Sequence, residues 1–359
     1  MIWSAWRQIR LQTLVLAIAT ALLVLVFALT GPHLNHVYQT VVLTCQSHND
    51  CLTVFSNFQS QYHLARLVGV LILAAPALLG VFSGAPLVAR EIESGTFRLA
   101  WTQSVSRSRW LLTKVFMVGL ISVVITGILS LAYTWWSSAY SQVFKGQFMP
   151  LRYMTHDLVP IGYAAFAFAL GVTLGALIRR SVPAMAVTLV GYVGGLTAFT
   201  VWVRPYLQSP LHRSSPLQIF SSSRSSGPGT NPNDWVISQQ TLNSSGKAIG
   251  QDGGIGSTGN TVFAPVGHGS PGTFRFVGVG TCPNKFPLHQ NGLSRNAAPS
   301  PTFVHAINAC VRGFHLRDLL TYQPASHYWT FQWYEMSIFI VLALALIGFT
   351  WWWVRHRLT

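Results

Sequence analysis

Residues 89 to 114 hold the densest set of chemically useful side chains in the chain. Arg90, Arg98, Arg107, Arg109 and Lys114 stand there with Glu91 and Glu93, two of only eight acids in 359 residues. Elsewhere the signals for chemistry are missing. Ser245-Gly246-Lys247-Ala248 lacks the upstream glycine and the hydroxyl that a phosphate-binding loop needs. Neither His-Glu-x-x-His nor Gly-x-Ser-x-Gly occurs, so no catalytic set is assigned. His33, His36, His48 and His63 fall near one another, but their spacing does not force three or four ligands to converge, and no metal site is assigned. Glu335 lies at the edge of an apolar run and reads as a solvated acid at a helix end.

The elements that position the 89–114 island are long apolar stretches. Half the residues are hydrophobic and 9% are charged, with a mean hydropathy of +0.41, a balance foreign to soluble globular proteins. Runs at 11–30, 67–88, 115–144, 158–178, 182–203 and 333–354 are each long enough to cross a bilayer. The first is too long for a signal-peptide core and closes on Leu29-Thr30-Gly31-Pro32, so it reads as an uncleaved anchor. Arg7, Arg10, the island, Arg179, Arg180, Arg355 and Arg357 cluster on one side, whereas the short links opposite hold only Arg66, Lys145 and Arg152. By the positive-inside rule the richer side is cytoplasmic. The net charge of +15 follows from that distribution together with a large outside loop. No Lys/Arg-rich segment with interleaved aromatics points to nucleic acid.

The fold expected is an all-α polytopic membrane protein of six transmembrane helices with both termini cytoplasmic. Residues 1–10 form an amphipathic interfacial lead, and 11–203 hold helices one to five with the cytoplasmic segment 89–114. Residues 204–328 form a large extracytoplasmic loop domain, loop-rich to about residue 270 and then rich enough in Val, Phe and Tyr for a small folded unit, and 329–359 hold helix six and a cytoplasmic tail. Gly171-x-x-x-Gly175 and Gly191-x-x-x-Gly195 have the spacing that lets helix backbones approach closely. Cys45 and Cys51, six apart, and Cys282 and Cys310 all fall on the outside, where an oxidising compartment would let them form disulfides. Their connectivity stays open.

Arg90-Glu91-Ile92-Glu93-Ser94-Gly95-Thr96, then Ser104-Val105-Ser106-Arg107 and Lys114, resembles the segment between the second and third spans of ABC transporter permeases of the type-2 export class. Tyr322-Gln323-Pro324-Ala325-Ser326, Phe331-Gln332-Trp333 and a Trp-rich last span resemble actinobacterial members. The resemblance implies a permease subunit that moves substrate outward using ATP hydrolysed, with magnesium, by a separate ATP-binding subunit, and binds no cofactor itself. It also implies a second permease half, in a homodimer or heterodimer, within a bacterial plasma membrane. Glu91, Glu93, Gly95, Thr96 and Arg98 would form the coupling contact, with Arg107 and Arg109 at the membrane edge. Without the resemblance, Glu91 and Glu93 solubilise a loop and the arginines anchor it to lipid phosphates. The alternative function is a membrane sensor or assembly protein acting through its extracytoplasmic domain.

Overall fold

The computed structural model describes residues 2–42, 63–93, 107–143, 146–217, 231–248, 263–266, 273–276, 280–283, 305, 308–310 and 312–357. Two compact units emerge, one of Met1–Leu207 with Tyr328–Thr359, the other of Gln208–His327. Among the described residues six helices are long and apolar enough to cross a membrane: Thr13–Thr40, Arg66–Glu93, Leu111–Trp136, Val159–Ile178, Ser181–Tyr206 and Ala325–Arg357. They are numbered here as spans one to six.

The fourth span is the axis of the helical unit. It packs against the second, third, fifth and sixth spans, and 61% of its apolar window is buried inside the unit, against 17% for the first span. Small residues bring its neighbours in. A Cβ on Gly171 would lie 2.3 Å from the Gly80 carbonyl oxygen, and one on Gly175 would lie 2.3 Å from that of Ala85. Gly80 and Gly84 return the contact against the backbone of Ala167 and Phe168. The two Gly-x-x-x-Gly stretches thus face each other, and the backbones meet where any side chain would separate them. Within this seam the second span passes through a π-helical turn at Gly80–Gly84. Gly191-x-x-x-Gly195 differs, meeting only the side chains of Leu170 and Phe166, at 3.3 and 3.6 Å.

The first helix does not end at Gly31-Pro32. It runs unbroken from Ile2 to Val37 and on through a π turn, Tyr38–Val42. Proline removes one helical donor. The third span supports the helix there: Trp136 Nε1 donates to Thr30 Oγ1 at 2.8 Å, and the Trp135 ring closes over Gly31. The fourth span stops at Arg179, whose left-handed backbone (φ 59°) sends its N–H to the Gly175 carbonyl and turns the chain into the fifth span within two residues.

The second unit corrects the expectation of an all-α chain with a loop domain. It contains β-structure, including strands in the half expected to be loop-rich. β1 (Leu211–Pro216) and β2 (Trp235–Leu242) flank the central strand β6 (Arg317–Gln323), both antiparallel to it. A register shift falls between Val236 and Ser238. β3 (Phe263–Val266), β4 (Thr273–Phe276) and β5 (Gly280–Pro283) make a second antiparallel sheet. β1 reads Leu-His-Arg-Ser-Ser-Pro, with none of the apolar alternation that marks a strand, and is held by the register of β6. Asp318 of β6 is buried between Thr241 and Gln239, which donate to its carboxylate at 2.9 and 3.3 Å. Burial raises its pKa against the effect of those donors.

Candidate functional site

At the end of the helical unit reached by Glu93, Arg179 and Arg357, the second span carries both island acids against neighbouring helices. Glu91 is paired with Lys114 of the third span. Glu93 Oε2 accepts from the backbone N–H of Ser181 at 3.1 Å and from its hydroxyl at 2.7 Å. Ser181 opens the helix of the fifth span, so Glu93 satisfies one of the orphan donors at that helix start. The two carboxylates tie the end of the second span to the third and the fifth. Neither is a detached loop acid: Glu91 keeps only 19% of its side chain exposed. Arg107 opens the helix that continues into the third span, and Arg109 is exposed one turn before Thr113, whose hydroxyl returns to its carbonyl. Gly95, Thr96 and Arg98 lie outside the described residues.

The opposite end is built from buried polar groups. Glu335 is not a solvated acid. It is wholly buried in the sixth span and bound by Arg204, itself 3% exposed, at the end of the fifth. Arg204 Nε donates to Glu335 Oε2 at 2.9 Å and Nη2 to Oε1 at 2.7 Å, while Nη2 also reaches the Tyr163 hydroxyl at 3.0 Å. Tyr163, from the fourth span, donates its own proton to Glu335. The guanidinium lies 4.6 Å from the centroid of the Tyr153 ring. A charge survives such burial only when paired and hydrogen-bonded, and here three spans supply the partners.

Beside this cluster the link from the third span to the fourth is pinned on both flanks. Asp157 takes a left-handed backbone, φ 58°. Its N–H donates to Thr134 Oγ1 at 3.0 Å, its carbonyl accepts from Ser130 at 2.9 Å, and its carboxylate accepts from Tyr328 at 2.6 Å. The fourth span begins with three residues whose N–H groups have no helical partner. Leu158 and Val159 donate to Gln332 Oε1 of the sixth span, at 3.1 and 3.0 Å, and the third is Pro160, which has no donor to satisfy. His156 is buried with Nδ1 at 2.7 Å from the Arg152 carbonyl and Nε2 at 2.8 Å from Ser137 Oγ. Burial, and then the Arg152 charge, lower its pKa to about 4.

Among the described residues no group of three or more His, Cys, Asp or Glu could hold a metal ion. His33 and His36 ride on the first helix, and His48 lies outside the described residues. So do Cys45 and Cys51, and the Cys282 side chain is not described. No described cysteine is free.

Sequence reasoning passed over four of these features: the Glu91–Lys114 tie, the Gly80-x-x-x-Gly84 spacing, the Arg204–Glu335 pair and the Gln332 cap. For the pair a signal existed. An ionisable residue inside an otherwise uncharged span is costly, and its partner lies on a neighbouring helix by default.

Six membrane-capable helices among the described residues, the fourth the most buried, define a multi-pass membrane protein. The chain belongs to the ABC-2 membrane transporter related family, whose model matches residues 17–204, the first five spans. Permeases of the ABC-2 kind are membrane components of ABC transporters, and the family implies an ATP-binding partner in general. No curated protein and no solved structure matches the chain.

Proposed function

We propose that this chain is the permease half of an ATP-binding cassette exporter in a bacterial plasma membrane, moving substrate outward on ATP hydrolysed by a separate subunit. The observation that carries this reading is the tie of the second span to the third and fifth through Glu91 and Glu93, within the region that the family model covers. A load applied to residues 94–106 enters the bundle through helices that those carboxylates couple. In this reading the segment faces the cytoplasm and docks on the ATPase through Gly95, Thr96 and Arg98, with Arg107 and Arg109 at the membrane edge. Glu91 and Glu93 then transmit as well as touch. A second permease half completes the path, and Cys45 with Cys51 and Cys282 with Cys310 are oxidised on the outside.

The test is charge reversal at Arg98, co-expressed with the ATP-binding subunit encoded nearest to the permease. With the segment facing water in this reading, Arg98→Glu should preserve expression and membrane insertion, at a cost under ~0.5 kcal/mol. Co-purification of the ATPase and transport in vesicles should both fall at least tenfold. Wild-type levels of both would overturn the coupling role of this segment. A second reading rests on a different observation: the β-structured unit Gln208–His327 lies wholly beyond residue 204, where the family match ends. A sensor acting through that unit would keep its output when Arg98 is reversed and lose it when the unit is excised.

A further inference from the structure

The end of the helical unit that carries Glu93 is more cationic than its own acids can balance. Arg90, Arg179, Arg180, Arg355 and Arg357 are all exposed there. The other acids of the chain are Asp50, Asp157, Asp234, Asp252, Asp318 and Glu335, so Glu91 and Glu93 are the only Asp or Glu side chains on the segments at this end. Glu91 is taken by Lys114. Glu93 is bound to Ser181 and lies within Coulombic reach of both Arg180 and Arg90.

Contacts deeper in the bundle bring these arginines to one level. The second, fourth and sixth spans run parallel. Ala85 meets Gly175, and Thr173 Oγ1 lies 2.8 Å from Thr350 Oγ1. Counting on from those contacts at ~1.5 Å per residue, Arg90 stands ~7.5 Å beyond Ala85 and Arg179 ~6 Å beyond Gly175. Arg355 stands ~7.5 Å beyond Thr350 and Arg179 ~9 Å beyond Thr173. Three spans therefore present guanidinium groups at a common depth.

The same level carries indoles. Arg355 Cζ lies 5.6 Å from the centroid of the Trp351 ring, and the exposed Trp352 packs its ring against His356 with centroids 5.6 Å apart. Tryptophan with arginine at the end of a span is the composition of the headgroup region, where an indole sits among acyl carbonyls and a guanidinium meets phosphate. Guanidinium also suits phosphate better than a point charge does, because its donors are paired and planar.

We propose that Arg90, Arg179, Arg180, Arg355 and Arg357 form a binding rim for the phosphates of anionic phospholipid headgroups. The lipid supplies the negative charge that the chain lacks at this end and bridges the second, fourth and sixth spans. The choice of leaflet rests on the cytoplasmic placement of this end. The rim itself does not depend on ATP-driven transport, so failure of the exporter reading leaves it standing.

The test uses full-length protein in detergent with added vesicles, either phosphatidylcholine alone or phosphatidylcholine and phosphatidylglycerol at three to one. Native mass spectrometry counts retained lipid, and a titration gives the apparent affinity. Wild-type protein should retain phosphatidylglycerol selectively and lose it at high salt. Each arginine replaced by Gln should weaken binding about fivefold, so R179Q/R180Q/R355Q together should weaken it roughly a hundredfold. The matching Lys substitutions should stay within a few-fold of wild type. Equal retention of both lipids, or unchanged retention by the Gln variant, overturns the proposal. Unchanged lipid retention with loss of ATPase co-purification also overturns it and assigns the rim to an acidic protein surface. Should the triple variant fail to fold, R179Q and R355Q singly carry the same fivefold expectation.

Discussion

The two ends of the helical unit hold their helices together by opposite means. At one end Arg204, Glu335 and Tyr163 bind one another out of reach of water, from the fifth, sixth and fourth spans, and beside them the buried Gln332 caps the start of the fourth span. At the other, Glu93 bonds Ser181 at an exposed surface, and the ion pair of Glu91 with Lys114 is only partly buried. Strength follows burial. A hydrogen-bonded charge pair away from water cannot exchange its partners for solvent, so separating the helices leaves charges stranded. A carboxylate at the surface can trade its partner for water at little cost. The first end is thereby a fixed base, and the second can rearrange under a modest load.

The largest test of that contrast is at the buried pair. Glu335→Gln or Arg204→Met leaves one charge unpaired and should lower stability by ~3–5 kcal/mol, read as a large drop in detergent melting temperature. Replacing both, Arg204→Met with Glu335→Leu, should recover much of the loss, because no charge is then buried alone. Two single variants that melt like wild type would show that this end is no firmer than the other.

A smaller test at the same end uses pH. His156 has a pKa of about 4 in the fold, against ~6.5 when unfolded. Between those values the unfolded chain binds the extra proton, so stability rises with pH through this window. It should fall by ~2–3 kcal/mol as pH drops from 7 to 4 and level off, for this group, about one pH unit below that. His156→Gln should remove that slope while leaving any contribution from carboxylates. A melting profile from pH 7 to 4 that is the same in both proteins would detach His156 from the stability of this end.

Sequence patterns reveal these two ends unequally, for a physical reason. Hydropathy and the arginine distribution bring out all six spans, because burial in lipid demands long uncharged runs. They also bring out Gly171-x-x-x-Gly175, a spacing that alone cannot name its partner, here Gly80 and Gly84. Glu335 misleads because a carboxylate near a helix end looks the same in sequence whether water or Arg204 faces it. The deciding residue lies 131 positions away. The strands were hidden for another reason: β1 is polar at four of six positions, ends in proline and takes its conformation from β6. Pattern reports what a segment needs from its solvent, and the pairings between distant segments come from the fold.

The finest test concerns the end that yields. Glu93 touches Ser181 through two hydrogen bonds and is fully exposed. Glu93→Gln keeps the shape and can still accept from Ser181, so melting should not move measurably. What it loses is the charge that faces the fifth-span helix start, Arg90 and Arg180. If that charge couples the second span to the fifth, ATP turnover by the bound partner should respond less to substrate while the partner still co-purifies. Combining it with Lys114→Met should deepen the loss, since the ion pair from the second span to the third is then removed along with the Glu93 charge. Coupled turnover at wild-type level in the double variant, with melting unchanged, would show that these contacts only fasten the helix end. Transmission would then have to run through the glycine seam between the second and fourth spans.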